Sequence, residues 1–365
     1  MLCNRLVLNF MILVIVQVQG YDHGKSHNLT EMFEFLDNLE RRSPSLTHQV
    51  LLKSGEGRPI KVFKIAQDGV NVVNNRTQRP KSGRTNNKRT PNLSSVHTQK
   101  KAIWIDCGMH GREWISHAFC IYFIQLLVAG NLKFLTSRVT FFVAPVINPD
   151  GYEYSHSVDR LWRKNRRKFQ TGNRTCFGVD PNRNFPLDTL ALNSQGSKSR
   201  VSNPCSQEYD GPHPFSEPES MAIQKGLKGA VNQGYQMIGY LTVHCCATVL
   251  LSPFGFRREM TPHYRDQMTV LEAAKTAIEA NQEGLHYKYG PTSALFGPKR
   301  GGVLDWVYLE MKIKFAFAFE MRQRGPGGVQ RFLVDESNLL ATLRATLAGI
   351  EAMTGTILEI DGKGD

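Results

Sequence analysis

Residues 139–147, VTFFVAPVI, form a nearly unbroken apolar run that stops on Asn148-Pro-Asp-Gly-Tyr152. A strand that is apolar on both sides cannot face water on either, so it belongs inside a sheet covered on both faces. Ile103 to Asp106, Met237 to His244 and Lys314 to Phe319 (KFAFAF) are further strands, and helices are expected between and after them. These cover about Ile115 to Val128, Glu217 to Gln233, Met268 to Ala280 and Leu339 to Ala352. The alternation predicts an α/β fold in which a mixed, mostly parallel central sheet carries helices on both faces. Upstream, residues 31–41 (EMFEFLDNLER) put Met32, Phe35, Leu36 and Leu39 on one helical face, with Thr30 as the expected N-cap. Val50 to Leu52 and Ile60 to Ile65 read as two short strands around a glycine-containing turn.

Polar residues sit where the apolar strands end. The first strand runs into His110-Gly-Arg-Glu113, the second into Asn148, the third ends in His244 and the fourth in Glu320-Met-Arg322. Ligands in open α/β sheets bind outside the carboxyl ends of the strands, so these four ends predict one catalytic rim. Because the rim spans positions 110 to 320, one sheet and one domain should hold it. His110 and Glu113 have the spacing of a short chelating loop, and His244 completes a set of two histidines and one carboxylate. Zinc sites of that composition keep a position open for water. The metal there polarises a carbonyl oxygen and acidifies the water.

The chain has 365 residues and a formal net charge of +13. We read the excess as a basic surface, since no nucleic-acid-binding motif of a recognised kind is present. Residues 1–20 have a positive start at Arg5, an apolar stretch from Leu6 to Val18 too short to span a bilayer, and small residues before a cleavage point. They predict a signal peptide, hence secretion to the extracellular space with no membrane association. Sequons at Asn28, Asn75, Asn92 and Asn173 are compatible with export. Residues 74–101, rich in Asn, Arg, Lys, Thr and Ser, are expected to form a basic disordered loop. Of seven cysteines, Cys3 leaves with the signal. Cys176 and Cys205 flank a polar loop and are the expected disulfide. Cys107 and Cys120 are expected as buried free thiols. Cys245 and Cys246 would point to opposite strand faces, which argues against a bond between them.

Six segments together carry a family resemblance: His110-Gly-Arg-Glu-Trp-Ile115, Asn148-Pro-Asp-Gly-Tyr152, Arg160-Leu-Trp-Arg-Lys164, Gly178-Val-Asp-Pro-Asn-Arg-Asn184, Thr242-Val-His244 and Phe319-Glu-Met-Arg322. In order and separation they resemble the zinc carboxypeptidases, pancreatic A/B type, over about Asn28 to Thr354. The resemblance implies a zinc-dependent exopeptidase acting on peptide or protein C-termini, with one zinc on His110, Glu113 and His244. It implies Glu320 as general base and acid, and Arg163 as the oxyanion-stabilising cation. It implies Asn182 and Arg183 as the clamp on the substrate's terminal carboxylate, with Arg112 as a further substrate contact. Without it, Glu320 would be read as half of a buried salt bridge with Arg322, and Arg163 as one more cation in a basic run. A monomer is expected.

Leu304 falls on the family's specificity position at the pocket base, with Gly255 nearby. An apolar floor implies preference for apolar or aromatic C-terminal residues. Asp305 falls on a position that is acidic in the family whatever the specificity. The chain departs from the family in three ways. The catalytic pattern starts within about ten residues of the expected cleavage point, so no propeptide is expected. The segment His244-Cys-Cys-Ala247 puts Cys246 where the family has a subsite tyrosine. Gly297, preceded by Phe296, stands where the family's mobile tyrosine is expected. The last two departures motivate an alternative, a secreted zinc-binding pseudoenzyme or peptide-binding protein.

Overall fold

Along the strand Lys100–Cys107 (β3), Ile103 and Ile105 enter one apolar core and Ala102 and Trp104 another, all fully buried. This is the two-faced burial that the apolar runs require. The computed structural model describes residues 20–66, 100–186, 201–282, 284–322 and 328–363. Residues 1–19 of the expected signal peptide, residues 74–99 of the expected loop, and the sequons at Asn75 and Asn92 lie outside the described residues. Lys100 and Lys101, expected in that loop, begin β3 instead.

The first helix, α1, covers Leu29–Arg42. Asn28, not Thr30, is its N-cap: its side chain accepts from Glu31 N at 2.9 Å while Glu31 accepts from Asn28 N at 3.2 Å. That reciprocal pair satisfies two N–H groups at the helix start, which Thr30, already inside the helix, does not do. Strands β1 (Leu46–Lys53) and β2 (Pro59–Ile65) follow as an antiparallel pair. After β3 come α2 (Trp114–Val128), β4 (Thr140–Ala144) and α3 (Pro149–Ser157). A hairpin of β5 (Lys168–Thr171) and β6 (Arg174–Phe177) stands apart from the main sheet. Then come α4 (Pro218–Asn232), β7 (Tyr235–Cys245), β8 (Val249–Ser252), α5 (Tyr264–Ala280) and β9 (Lys288–Pro291). The chain closes with α6 (Thr292–Phe296), α7 (Val303–Leu309), β10 (Ala316–Met321) and α8 (Glu336–Asp361).

The eight-stranded sheet has the order β1-β2-β4-β3-β7-β10-β8-β9. The central pairs β4/β3, β3/β7 and β7/β10 are parallel, as is β8/β9, and the other pairs are antiparallel. Helices α1, α2, α5 and α8 cover one face, and α4 and α7 supply the core on the other. Gly226 of α4 lets that helix approach closely, since a Cβ there would lie 2.3 Å from the Trp104 ring. The parallel register sets Glu320 of β10 beside His244 of β7, so the carboxyl ends of neighbouring strands deliver both to one rim.

Cys176 pairs with Cys205, as expected. The other two cysteine expectations are corrected. Cys107 at the end of β3 and Cys120 on α2 form a disulfide, their Cα atoms 6.2 Å apart. Burial among apolar groups suits half of a disulfide as well as a thiol, and packing of α2 on β3 brings the pair within bonding range. Cys245 and Cys246 are bonded to each other. The opposite-face argument assumed a trans peptide, whereas this peptide is cis and its Cα atoms lie 3.1 Å apart.

Candidate active site

His110, Glu113 and His244 are buried together, and their ligand atoms all lie within 4.8 Å of one another. His110 stands on the turn after β3, Glu113 at the N-cap position of α2, and His244 on β7. Glu113 makes no side-chain cap bond. Its carboxylate instead faces both rings, Oε1 at 2.9 Å from His110 Nδ1 and Oε2 at 3.0 Å from His244 Nδ1. The far nitrogens have partners too. His110 Nε2 lies 3.1 Å from Asp180 Oδ1, and His244 Nε2 lies 3.1 Å from Thr242 Oγ1. Each ring is thus oriented from behind, with Nδ1 turned toward a shared point, the arrangement by which outer groups aim metal-binding histidines. Two imidazoles and a carboxylate are a donor set that suits zinc. Burial would raise the Glu113 carboxyl, but the two histidines outweigh it and hold it well below its ordinary value.

Arg163 reaches the same point. It donates to Asp180 Oδ2 from Nε at 3.0 Å and from Nη2 at 2.7 Å, while its Nη1 lies 3.8 Å from Glu113 Oε1. Asp180 is fully buried, and Arg163 and His110 overcome burial to hold its carboxyl well below the usual range. Asp180 lies inside the Gly178 to Asn184 motif, but its chemical role was not read from the sequence. Its signal in the sequence is an acid two residues before the Asn182-Arg183 pair.

Glu320 opens onto a cavity of about 460 Å³ that also meets His110, Glu113, Arg163, Asn182 and Arg183. Burial, and then the nearby Glu113 charge, push its carboxyl up to about 7. Arg322 turns elsewhere, donating from its guanidinium to Gly284 O at 3.4 Å, so it is not the partner that the salt-bridge reading required. Arg112 lines the cavity with its guanidinium 4.1 Å from the Phe332 ring centre. Asn182 Oδ1 accepts from Val303 N at 3.0 Å, which directs its amide N–H groups away from α7.

Leu304 and Gly255 line the same cavity beside Ala247, Leu251 and Ala318. Asp305 Oδ1 accepts from Gly255 N at 2.8 Å and Oδ2 from Phe256 N at 3.1 Å. This acid therefore braces the backbone of the pocket, and burial pushes its carboxyl up to about 7. Cys246 is in the wall, and so is Phe296. Gly297 follows at φ 74° and ψ 164°. That region is essentially restricted to glycine, so the position does not accept the family's tyrosine in this backbone. Three charged lining residues went unnoticed in the sequence, Glu208, Lys299 and Arg331, since isolated charged residues read as solvated surface.

The zinc carboxypeptidase family model matches residues 32–349. Mouse mast cell carboxypeptidase A is 37% identical over 266 residues, which take in 72% of this chain and 60% of that protein. Human carboxypeptidase B2 is 30% identical over 338 residues, 91% of this chain and 70% of that protein. The chain thus spans about three fifths of the length of the mast cell enzymes it matches. Bovine thrombin-activatable fibrinolysis inhibitor, solved with a tick carboxypeptidase inhibitor, superposes with a TM-score of 0.75 at 28% identity, covering 93% of this chain and 99% of that one. Carboxypeptidase A from Helicoverpa armigera shares the fold, with a TM-score of 0.76 at 23% identity over 96% of this chain and 81% of that one. With His110, Glu113 and His244 converging at the sheet edge and the family model spanning most of its length, the chain belongs to the zinc carboxypeptidase family.

Proposed function

We propose that the protein is a zinc-dependent exopeptidase that hydrolyses the C-terminal peptide bond and prefers apolar or aromatic C-terminal residues. The observation that carries this reading is the convergence of His110, Glu113 and His244 beside Glu320 and Arg163 on one cavity. The zinc they would hold, when bound, supplies a Lewis acid for the scissile carbonyl and acidifies water. Arg183 and the amide of Asn182 take the terminal carboxylate, which sets the last peptide bond against the rim. Arg163, a cation fixed by Asp180, faces the negative charge that develops on the carbonyl oxygen. Glu320 takes a proton from the attacking water and returns it to the leaving amine. The cavity floor at Leu304 and Gly255 offers an apolar surface to the departing side chain. Asp305 does not alter this, because its oxygens are engaged by backbone amides.

The same reading makes residues 21–365 a single catalytic domain, secreted after loss of residues 1–20 and active as a monomer on peptide or protein C-termini. Among the described residues no helix is long and apolar enough to cross a membrane.

Cys246 and Gly297 favour the second reading, a zinc-binding protein that holds peptides without cleaving them. The test is release of C-terminal residues from a mixed peptide panel, with and without a zinc chelator. Chelator-sensitive release of Phe, Leu or Tyr is expected. Stoichiometric zinc with no release from any peptide would establish the second reading instead.

A further inference from the structure

Glu208 holds its carboxylate between two cations at the cavity wall. Lys299 Nζ donates to Oε1 at 2.8 Å and to Oε2 at 3.0 Å, and Arg183 Nη2 donates to Oε1 at 3.3 Å. All three residues line the cavity that contains Leu304 and Glu320. The backbones that carry the cations are fixed. Lys299 N donates to Gly255 O at 2.7 Å, at the pocket floor. Gly301 packs so closely on Arg183 that a Cβ there would lie 2.0 Å from Arg183 O. Glu208 comes from a separate loop, tied at Cys205 to Cys176 and at Tyr209 O to Asp180 N at 2.8 Å. Burial raises the Glu208 carboxyl, but the Lys299 hydrogen bond and the Arg183 and Lys299 charges outweigh it and hold it below its ordinary value. The group is therefore an ionised carboxylate shared by a guanidinium and an ammonium.

A peptide's C-terminus presents that same chemical group. We propose that Glu208 is an intramolecular stand-in for the substrate's terminal carboxylate, and that Lys299 is a positioning residue that joins Arg183 in holding this carboxylate once it displaces Glu208. The proposal rests on the exopeptidase reading above. The Glu208 and Lys299 side chains keep 41% and 31% of their surface exposed, so Glu208 has room to swing out toward water while the anchored Lys299 backbone stays in place. A flexible ammonium suits this exchange, because it accepts a carboxylate from a range of directions. Lys299 also supplies a contact to the terminal carboxylate on the wall where Gly297 has no side chain to offer.

Two readouts on the zinc-loaded full chain test this. One is hydrolysis of an N-acyl dipeptide ending in Phe. The other is calorimetric binding of free L-phenylalanine, with L-phenylalaninamide as the ligand that lacks the carboxylate. Lys299→Met should raise KM and weaken L-phenylalanine binding about 5- to 20-fold, discounted for partial exposure, with kcat within about twofold. Lys299→Arg should restore most of the loss. Glu208→Gln removes the competing carboxylate and should tighten L-phenylalanine binding about 3- to 10-fold and lower KM to match, an effect reduced when Lys299→Met is also present, because Arg183 alone then holds Glu208. Binding of the amide should respond to none of these changes. Unchanged KM and binding in Lys299→Met would overturn the proposal, as would weaker binding in Glu208→Gln, which would make Glu208 a structural brace. The binding arm separates this from the exopeptidase reading. If wild type binds L-phenylalanine with these sensitivities but cleaves no peptide, the carboxylate exchange stands and the catalytic reading fails.

Discussion

Asp180 grips Arg163 through a single oxygen, Oδ2 accepting Nε at 3.0 Å and Nη2 at 2.7 Å, while its other oxygen faces His110. One buried carboxylate therefore orients both a proposed zinc ligand and the proposed oxyanion cation. Asp180→Asn keeps the shape but removes the charge and puts an N–H group toward one of these donors. Loss of such an outer partner typically costs about 10- to 100-fold in metal affinity. Chelator titration should show zinc leaving at correspondingly lower chelator concentration, with a fall in kcat as Arg163 loses its anchor. A titration curve that overlays wild type would show that Asp180 plays no part in holding the metal.

Glu320 and His244 are register partners on adjacent strands, yet their proposed roles separate cleanly. Glu320→Gln removes the proposed proton carrier and leaves the three proposed zinc ligands in place. Its kcat should fall about 10²- to 10⁴-fold with stoichiometric zinc retained. His244→Ala should instead lose the metal. Elemental analysis of both purified variants, run beside the peptide assay, tests the assignment. Full zinc retention in His244→Ala, or a Glu320→Gln rate within a few-fold of wild type, would sink it.

The pocket floor gives a specificity prediction. Leu304 is 8% exposed and carries no charge, so a C-terminal Lys or Arg would bury an unpaired cation at considerable cost. Wild type should release Phe, Leu or Tyr faster than Lys. Leu304→Asp should narrow or reverse that ratio, mainly by lowering kcat/KM for Phe and raising it for Lys. Faster release of Lys than Phe by wild type would mean that Asp305 leaves its backbone partners to meet the substrate.

The central strands and the convergence of His110, Glu113 and His244 were legible because burial on two faces and a polar strand end leave strong marks in a sequence. β8 and β9, four residues each, and the β5–β6 hairpin carry too few residues to show a period. The expected cap, Thr30, is displaced by Asn28 because Asn28 exchanges two hydrogen bonds with Glu31, three residues on, a contact that only the folded helix start displays. The Cys107–Cys120 bond depends on how α2 packs over β3, and the Cys245–Cys246 bond on a peptide geometry that the strand rule excludes. Glu208 and Lys299 lie 91 residues apart, and only the folded chain brings their charges together.

Gly297 gives the last prediction, and its backbone decides the sign. The position where a Cβ would project is open, with nothing within 4 Å, so a side chain meets no steric obstacle. The obstacle is conformational: at φ 74° and ψ 164° a residue with a Cβ is strained whatever the space around it. Gly297→Ala should therefore destabilise the fold by about 1–3 kcal/mol, read as a melting temperature a few degrees lower. The same strain applies to Gly297→Tyr, so installing the family's tyrosine here should not simply restore its contact. Phe296, 43% exposed and already in the cavity wall, is the aromatic side chain that this loop offers to the cavity. Phe296→Ala should raise KM for a Phe-ending peptide without the stability loss, since an exposed ring leaves no core cavity behind. A Gly297→Ala melting temperature equal to or above wild type would show that residue 297 adopts an ordinary backbone conformation, and that a tyrosine could stand there after all.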